Sequence, residues 1–248
     1  MTEQPILLEL FAGTRCISKA FEKYGWNTFS VDWNGKFKDI SLYADISKLT
    51  VDEVLDLCGR APDVIWASPD CTSYSIAGIG YHRRLKFGKL EPISEYAKFC
   101  DYTNKHLLEM MAELNPTYFF IENPMGGLRK MDFMVDFEKR YGRRYTVTYC
   151  QYGDFRQKPT DIWTNHPDPR FKPMCKAGDP CHEPKPRGNH NTGTQRLRSA
   201  ALRSQIPADL CDHIAEICTN KPKVKYYTLN EFFSRDPVAP TGAAGGIN

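Results

Sequence analysis

Four short apolar runs constrain the fold more than any other feature: ILLELF (6–11), NTFSVD (27–32), DVIWA (63–67) and YFFIE (118–122). Each is too short for a helix, rich in β-branched and aromatic residues, and closed by a Gly, Asp or Pro loop, the pattern of buried strands. Between them lie segments of helical period. Ile17, Ala20 and Phe21 recur before Gly25 stops the run; Val51 to Cys58 and Ile93 to Leu114 follow. RYTVTYC (144–150) and DIWT (161–164) read as two further strands. Strands alternating with helices predict an α/β chain: a mostly parallel sheet with helices on both faces. Such sheets bind ligands beyond the carboxyl ends of their strands. That rule selects four places: FAG after the first strand, DW after the second, SPDC after DVIWA, and ENP after YFFI.

From His166 to Ser204 the periodicity fails, and Pro, Gly, His and Lys/Arg dominate, so this stretch reads as a loop-rich insert. Ile206, Leu210, Ile214 and Ile217 then share one helical face, while PVAPTGAAGGIN at the end has the composition of a disordered tail. The expected organisation is 1–165 as the main domain, 166–205 as the insert, 206–222 as the closing helix of the main domain and 223–248 as an extension. The insert is also the electropositive part of the chain, which matters more than the net charge of +3. No apolar run is long enough to cross a bilayer, and the N-terminus lacks the features of a signal peptide. A cytoplasmic protein is therefore expected, with its nine cysteines reduced.

The strand-end loops carry the chemistry. In LELFAGTR, a strand, a Gly turn and a helix start bring backbone N–H groups to a bound cofactor. Asp32 ends the next strand, where ribose hydroxyls are commonly held; Trp33 is placed to cover an adenine face, and Asp45 to accept from an adenine amino group. Alone, this also suits a nicotinamide dinucleotide or a plain tight turn, although the full G-x-G-x-x-G is absent. Cys71 lies in a loop rather than within an element, a position that favours reactivity. The same rule puts Glu122 in its cleft, and a carboxylate at the end of YFFI is costly unless it has a partner or a ligand.

The ordered set LELFAG, VDW, ADI, SPDC, FFIENP and QYGDFRQKPTDIWTN resembles the DNA (cytosine-5)-methyltransferase family, and most closely its compact bacteriophage and prophage members. The resemblance spans Ile6 to Asn165 plus the helix near Ile206-Pro207. It implies the Rossmann-like fold of methyltransferases that use S-adenosylmethionine (SAM), and transfer of a methyl group to carbon-5 of cytosine in DNA. Residue by residue, it makes Cys71 the nucleophile at cytosine carbon-6. Glu122 becomes the acid at the ring nitrogen-3 and exocyclic amine, with Arg156 and Lys158 beside the base and backbone. Leu10, Phe11, Ala12, Gly13, Thr14, Asp32, Trp33, Asp45, Ile46, Ser68 and Pro69 become the SAM pocket. Carbon-5 of cytosine is a poor nucleophile until a thiolate adds at carbon-6. The base must leave the duplex stack for that attack.

This chain departs from the pattern at four points. Asp70, not proline, precedes Cys71; Arg15 replaces a glycine of the cofactor turn; the usual Arg-rich motif is recast as DFRQKPTDIW; and the large target-recognition domain of bigger relatives is missing. The basic insert is left to take that role, with Arg187, Arg196 and Arg198 as phosphate contacts. It also carries Cys175, Cys181, His182 and His190, a C-x5-C-H-x7-H string that offers four zinc ligands. The spacing is unlike ordinary zinc modules, and an incidental loop is the stronger reading. Three other functions remain open on sequence alone: RNA cytosine methylation, methylation of an exocyclic amine, and a degenerate DNA-binding relative.

Overall fold

The computed structural model describes residues 3–183, 197 and 199–220. Its centre is a seven-stranded sheet. Strands β1 (Ile6–Leu10), β2 (Asn27–Asp32), β3 (Leu42–Tyr43), β4 (Val64–Ala67), β7 (Tyr118–Pro124), β8 (Arg143–Thr148) and β9 (Pro159–Thr164) lie in the order β3-β2-β1-β4-β7-β9-β8. Pairing is parallel from β3 through β7, whereas β9 runs antiparallel to both β7 and β8. A separate hairpin, β5 (Arg83–Lys86) with β6 (Lys89–Pro92), follows the short helix α3 (Ile79–His82).

Both faces of the sheet are covered, as the unbroken apolar runs require. The period of two sorts neighbouring residues to opposite sides. Leu8, Ile65, Phe119 and Ile121 face α2 (Val51–Cys58), α4 (Glu95–Leu114) and α5 (Asp132–Tyr141). Leu7, Trp66 and Phe120 face α1 (Cys16–Glu22) and α7 (Ala208–Thr219). Helix starts follow local chemistry: Thr50 and Glu53 form a capping box on α2, and the Ser94 side chain accepts from Ala97 N–H on α4. The closing helix packs on α1, where Lys23 Nζ donates to Asp212 Oδ1 at 2.7 Å and Trp26 Nε1 to Thr219 Oγ1 at 2.9 Å.

Four elements were not legible in the sequence: β3, the β5–β6 hairpin, α3 and α5. A fifth, α6 (Ala200–Ser204), falls in the stretch expected to be loops only. RYTVTYC is a strand only to Thr148; Tyr149–Tyr152 turn into a 3-10 helix.

The order has one functional consequence. The chain winds outward from β1 to β2 and β3, then crosses back through α2 to β4 on the other side of β1, so a crevice opens at the carboxyl ends of β1 and β4. The loops after β2, β1, β4 and β7 therefore stand in a row. Because β9 is antiparallel, its amino end, preceded by Lys158, reaches the same edge.

Candidate active site

One half of the row is a backbone cradle. Phe11, Gly13 and Arg15 all have positive φ, at 56°, 51° and 58°. Alternating left-handed residues turn successive N–H groups toward one concavity, a nest suited to an anionic or acceptor group. Arg15 adopts at some cost a conformation that glycine takes freely, and Gly13 lies close to the Phe37 ring. Asp32 clamps the turn: its Oδ2 accepts from Gly13 N–H at 2.9 Å and its Oδ1 from Asn34 N–H at 2.8 Å. Each oxygen keeps acceptor capacity for a ligand. Trp33 beside it is 72% exposed, an indole with no packing duty. Asp45 is exposed, with one oxygen accepting from Ser47 N–H and Oγ–H. Leu10 and Ile46 have buried side chains and offer a ligand only their backbones; Ala12 and Pro69 are also buried, while Thr14 and Ser68 are half-buried.

The other half gathers Cys71, Glu122 and Lys158. Glu122, 5% exposed, accepts from the Tyr149 hydroxyl at 2.9 Å, and Lys158 Nζ stands 3.9 Å from its Oε1. Burial pushes the Cys71 thiol up to about 11; Glu122 and Asp70 add to the rise, and Lys158 opposes it. Burial lowers Lys158 from its ordinary value against the pull of Glu122 and Cys71. The three groups therefore feel one another's charges directly. Asp70 Oδ1 accepts from Thr72 N–H at 2.6 Å, so it shapes the turn as well as adding charge beside the thiol.

Arg156 stands two residues before Lys158 in the same loop. Its guanidinium pairs with Asp154 and lies along the carbonyls of Leu202, Arg203 and Gln205. It braces the 153–158 loop against the 202–205 segment rather than facing Glu122. Of the insert residues, Arg187, Arg196, Arg198 and His190 lie outside the described residues. Cys175, Cys181 and His182 do converge, but with Cys150 from the 3-10 turn as the fourth donor.

Sequence reasoning missed the residues that hold the Cys71 loop. Arg83, 3% exposed, donates from Nε to the Ser73 carbonyl at 2.9 Å and from Nη2 to Asp101 Oδ1 at 2.7 Å. It also lies over the Tyr74 ring at 4.1 Å, and the Tyr74 hydroxyl donates to the same Asp101 oxygen at 2.7 Å. Nothing in the string YHRRLKFGK marks Arg83 over Arg84; only the fold buries one of them. Asn123 Nδ2 donates to the Pro69 carbonyl at 2.9 Å, and Gly127 N–H to the Tyr74 carbonyl at 2.7 Å, tying the loop after β7 to the loop after β4.

No family model matches the chain. A curated relative does: the probable DNA (cytosine-5)-methyltransferase of Frog virus 3 (isolate Goorha) is 31% identical over 235 residues, covering 86% of this chain and 99% of its own length. The chain belongs to the DNA (cytosine-5)-methyltransferase family. Among solved structures it is similar to a putative DNA modification methyltransferase encoded within a prophage from E. coli, with 14% identity, 65% of this chain covered and a TM-score of 0.49. It is also similar to the Dnmt2 methyltransferase of S. pombe, with 15% identity, 65% covered and a TM-score of 0.44. The chain spans about half the length of these two, 46% and 49% respectively. Among the described residues, no helix is long and apolar enough to cross a membrane.

The backbone cradle lies at the ends of β1 and β2, and the Cys71–Glu122–Lys158 group at the edge formed by β4, β7 and β9. Two of the departures are accommodated by this geometry: Arg15 takes a left-handed conformation, and Asp70 caps its own turn.

Proposed function

We propose that the chain transfers a methyl group from SAM to carbon-5 of cytosine in DNA, through a covalent adduct on Cys71. The observation that carries this is the meeting of Cys71, Glu122 and Lys158 beside the backbone cradle. A binding module needs neither a thiol nor a buried carboxylate at that place. SAM, when bound, supplies an electrophilic methyl group on a sulfonium. The nest at Phe11–Arg15, Asp32, Trp33 and Asp45 fit it: donors for its carboxylate, acceptors for its hydroxyls and amine, and a free aromatic face.

The remaining chemistry belongs to the chain. The Cys71 sulfur adds to cytosine carbon-6, and the ring electrons move so that carbon-5 becomes nucleophilic. Glu122 bonds to nitrogen-3 and the exocyclic amine, where charge changes as the adduct forms. Lys158 supplies positive charge that favours the thiolate. After methylation, the carbon-5 proton passes to solvent water, the electrons of that C–H bond re-form the C5–C6 double bond, and the Cys71 sulfur leaves as thiolate. The base reaches Cys71 and Glu122 only when flipped from the stack. Arg187, Arg196 and Arg198 are candidates to hold the backbone meanwhile, with affinity that falls steeply as salt rises.

The experiment uses a DNA duplex carrying 5-fluorocytosine, in which fluorine blocks the final elimination. A SAM-dependent covalent complex is expected from the wild type and none from Cys71→Ala. Undiminished methyl transfer by Cys71→Ala would overturn the proposal. Methylated RNA, or methyl on the exocyclic nitrogen, would transfer the chain to a different substrate.

A further inference from the structure

We propose that Cys150, Cys175, Cys181 and His182 form a structural zinc site that fastens the stem of the basic insert to the loop carrying Arg156 and Lys158. The four donor atoms lie within 4.8 Å of one another. They come from two places: Cys150 from the 3-10 turn after β8, and the others from the extended segment that opens the insert.

The distances suit a tetrahedral ion. Zinc–sulfur bonds of about 2.3 Å and a zinc–nitrogen bond of about 2.0 Å place tetrahedral neighbours roughly 3.8 Å apart for S–S and roughly 3.5 Å for S–N. Cys181 Sγ lies 3.6 Å from Cys150 Sγ, and His182 Nδ1 lies 3.6 Å from both Cys175 Sγ and Cys181 Sγ. The Cys150–Cys175 edge, 3.1 Å, is the one that must open slightly. It is too long for a disulfide, which needs about 2.0 Å, and the cysteines are free thiols.

A second observation is independent of the cluster itself. Two amide groups aim at its sulfurs: Gln151 Nε2 at Cys181, 3.4 Å away, and Gln157 Nε2 at Cys175, 3.5 Å away. Outer donors directed at thiolates are what a charged metal–sulfur centre recruits, whereas neutral thiols packed as small hydrophobes have little use for them. Binding Zn²⁺ here releases three thiol protons and leaves a centre of net charge −1. The adjacent Cys181 and His182 can serve together because the imidazole presents Nδ1, the near nitrogen, to the same point.

The geometry also says what the metal would do. Gln151 and Gln157 belong to the 151–158 loop, and Glu183 N–H donates to the Phe155 carbonyl at 3.0 Å, so the cluster and this loop form one unit. Zinc would close that unit and fix the direction in which the insert leaves the sheet. This rests on the donor set and not on the methyl-transfer reading.

The test is metal analysis of the full chain, purified without chelator in reducing buffer. About one zinc per chain is expected, the stoichiometry of a closed structural site. Cys150→Ser and His182→Ala should lose it, while His190→Ala should keep it. The apo protein should take up Co²⁺ with tetrahedral d–d and thiolate charge-transfer bands. If Cys150→Ser does not fold, thiol alkylation of the wild type serves instead: Cys150, Cys175 and Cys181 should be protected until a chelator is added. Metal-free protein that also refuses Co²⁺ would overturn the site. So would full zinc in Cys150→Ser, or alkylation of these three thiols indifferent to chelator.

Discussion

Charge control of Cys71 can be measured directly, because two neighbours act on it with opposite signs. The thiol, at about 11, is raised first by burial, then by Glu122 and Asp70, and lowered by Lys158. At pH 8 the thiolate fraction is then roughly one part in a thousand, three units below the midpoint. Glu122 and Lys158 stand 3.9 Å apart, and at an effective dielectric of 20 that pair is worth about 4 kcal/mol. Both also act on Cys71, and Glu122 raises its midpoint more than Lys158 lowers it. Glu122→Gln should lower the Cys71 midpoint by about one unit, or ~1.4 kcal/mol, giving roughly tenfold more thiolate at pH 8. Lys158→Met should raise it by a smaller amount, and the double variant should fall between Glu122→Gln and the wild type. The assay is iodoacetamide labelling across pH, with the Cys71 peptide followed by mass spectrometry, because the chain has nine cysteines. Midpoints are compared rather than rates, which removes steric differences between variants. In Glu122→Gln, methyl transfer should nevertheless fall by about two orders of magnitude. An unmoved midpoint in Glu122→Gln, or movement of both single variants in the same direction, would refute the charge argument.

Three further outcomes follow from the packing. Arg83→Met should cost about 3–5 kcal/mol, since it strands the buried Asp101 carboxylate and frees the Ser73 carbonyl of the Cys71 loop; chemical denaturation measures it. Gly126→Ala should leave the fold intact but slow methyl transfer about a hundredfold, because its Cβ would sit 2.5 Å from the Tyr74 carbonyl and displace the Cys71 loop; an unchanged rate in single-turnover kinetics would refute this. Burial holds the Glu9 carboxyl at about 7, against 4.5 in its ordinary state, despite bonds from Ser18 and Ile17 N–H. The folded state thus favours the protonated form, and that stability, on the order of 3 kcal/mol, is complete below pH 4.5 and lost as pH rises through 7. Glu9→Gln should flatten this part of the Tm-versus-pH curve.

The sequence by itself determined the sheet and the row of loops above it. Short unbroken apolar runs, with helical segments between, leave a chain little choice but strands covered on both faces. The loops at their carboxyl ends then carry FAG, Asp32, Cys71 and Glu122 to one edge. These are local signals, written in the propensity and polarity of neighbouring residues. What only the tertiary structure decided was which distant side chains meet there. The antiparallel turn of β9 delivers Lys158 to the pair and leaves Arg156 bracing Asp154, although both stand in the same short motif. Arg83 rather than Arg84 holds the Cys71 loop because the first residue of the hairpin is packed against Ser73 and Asp101 while the next three stand exposed. Cys150 joins the insert's cysteines although it ends a strand-like run twenty-five positions earlier. Pairings of this kind depend on sheet order and burial, which sum contacts over the whole chain, and no window of sequence contains them.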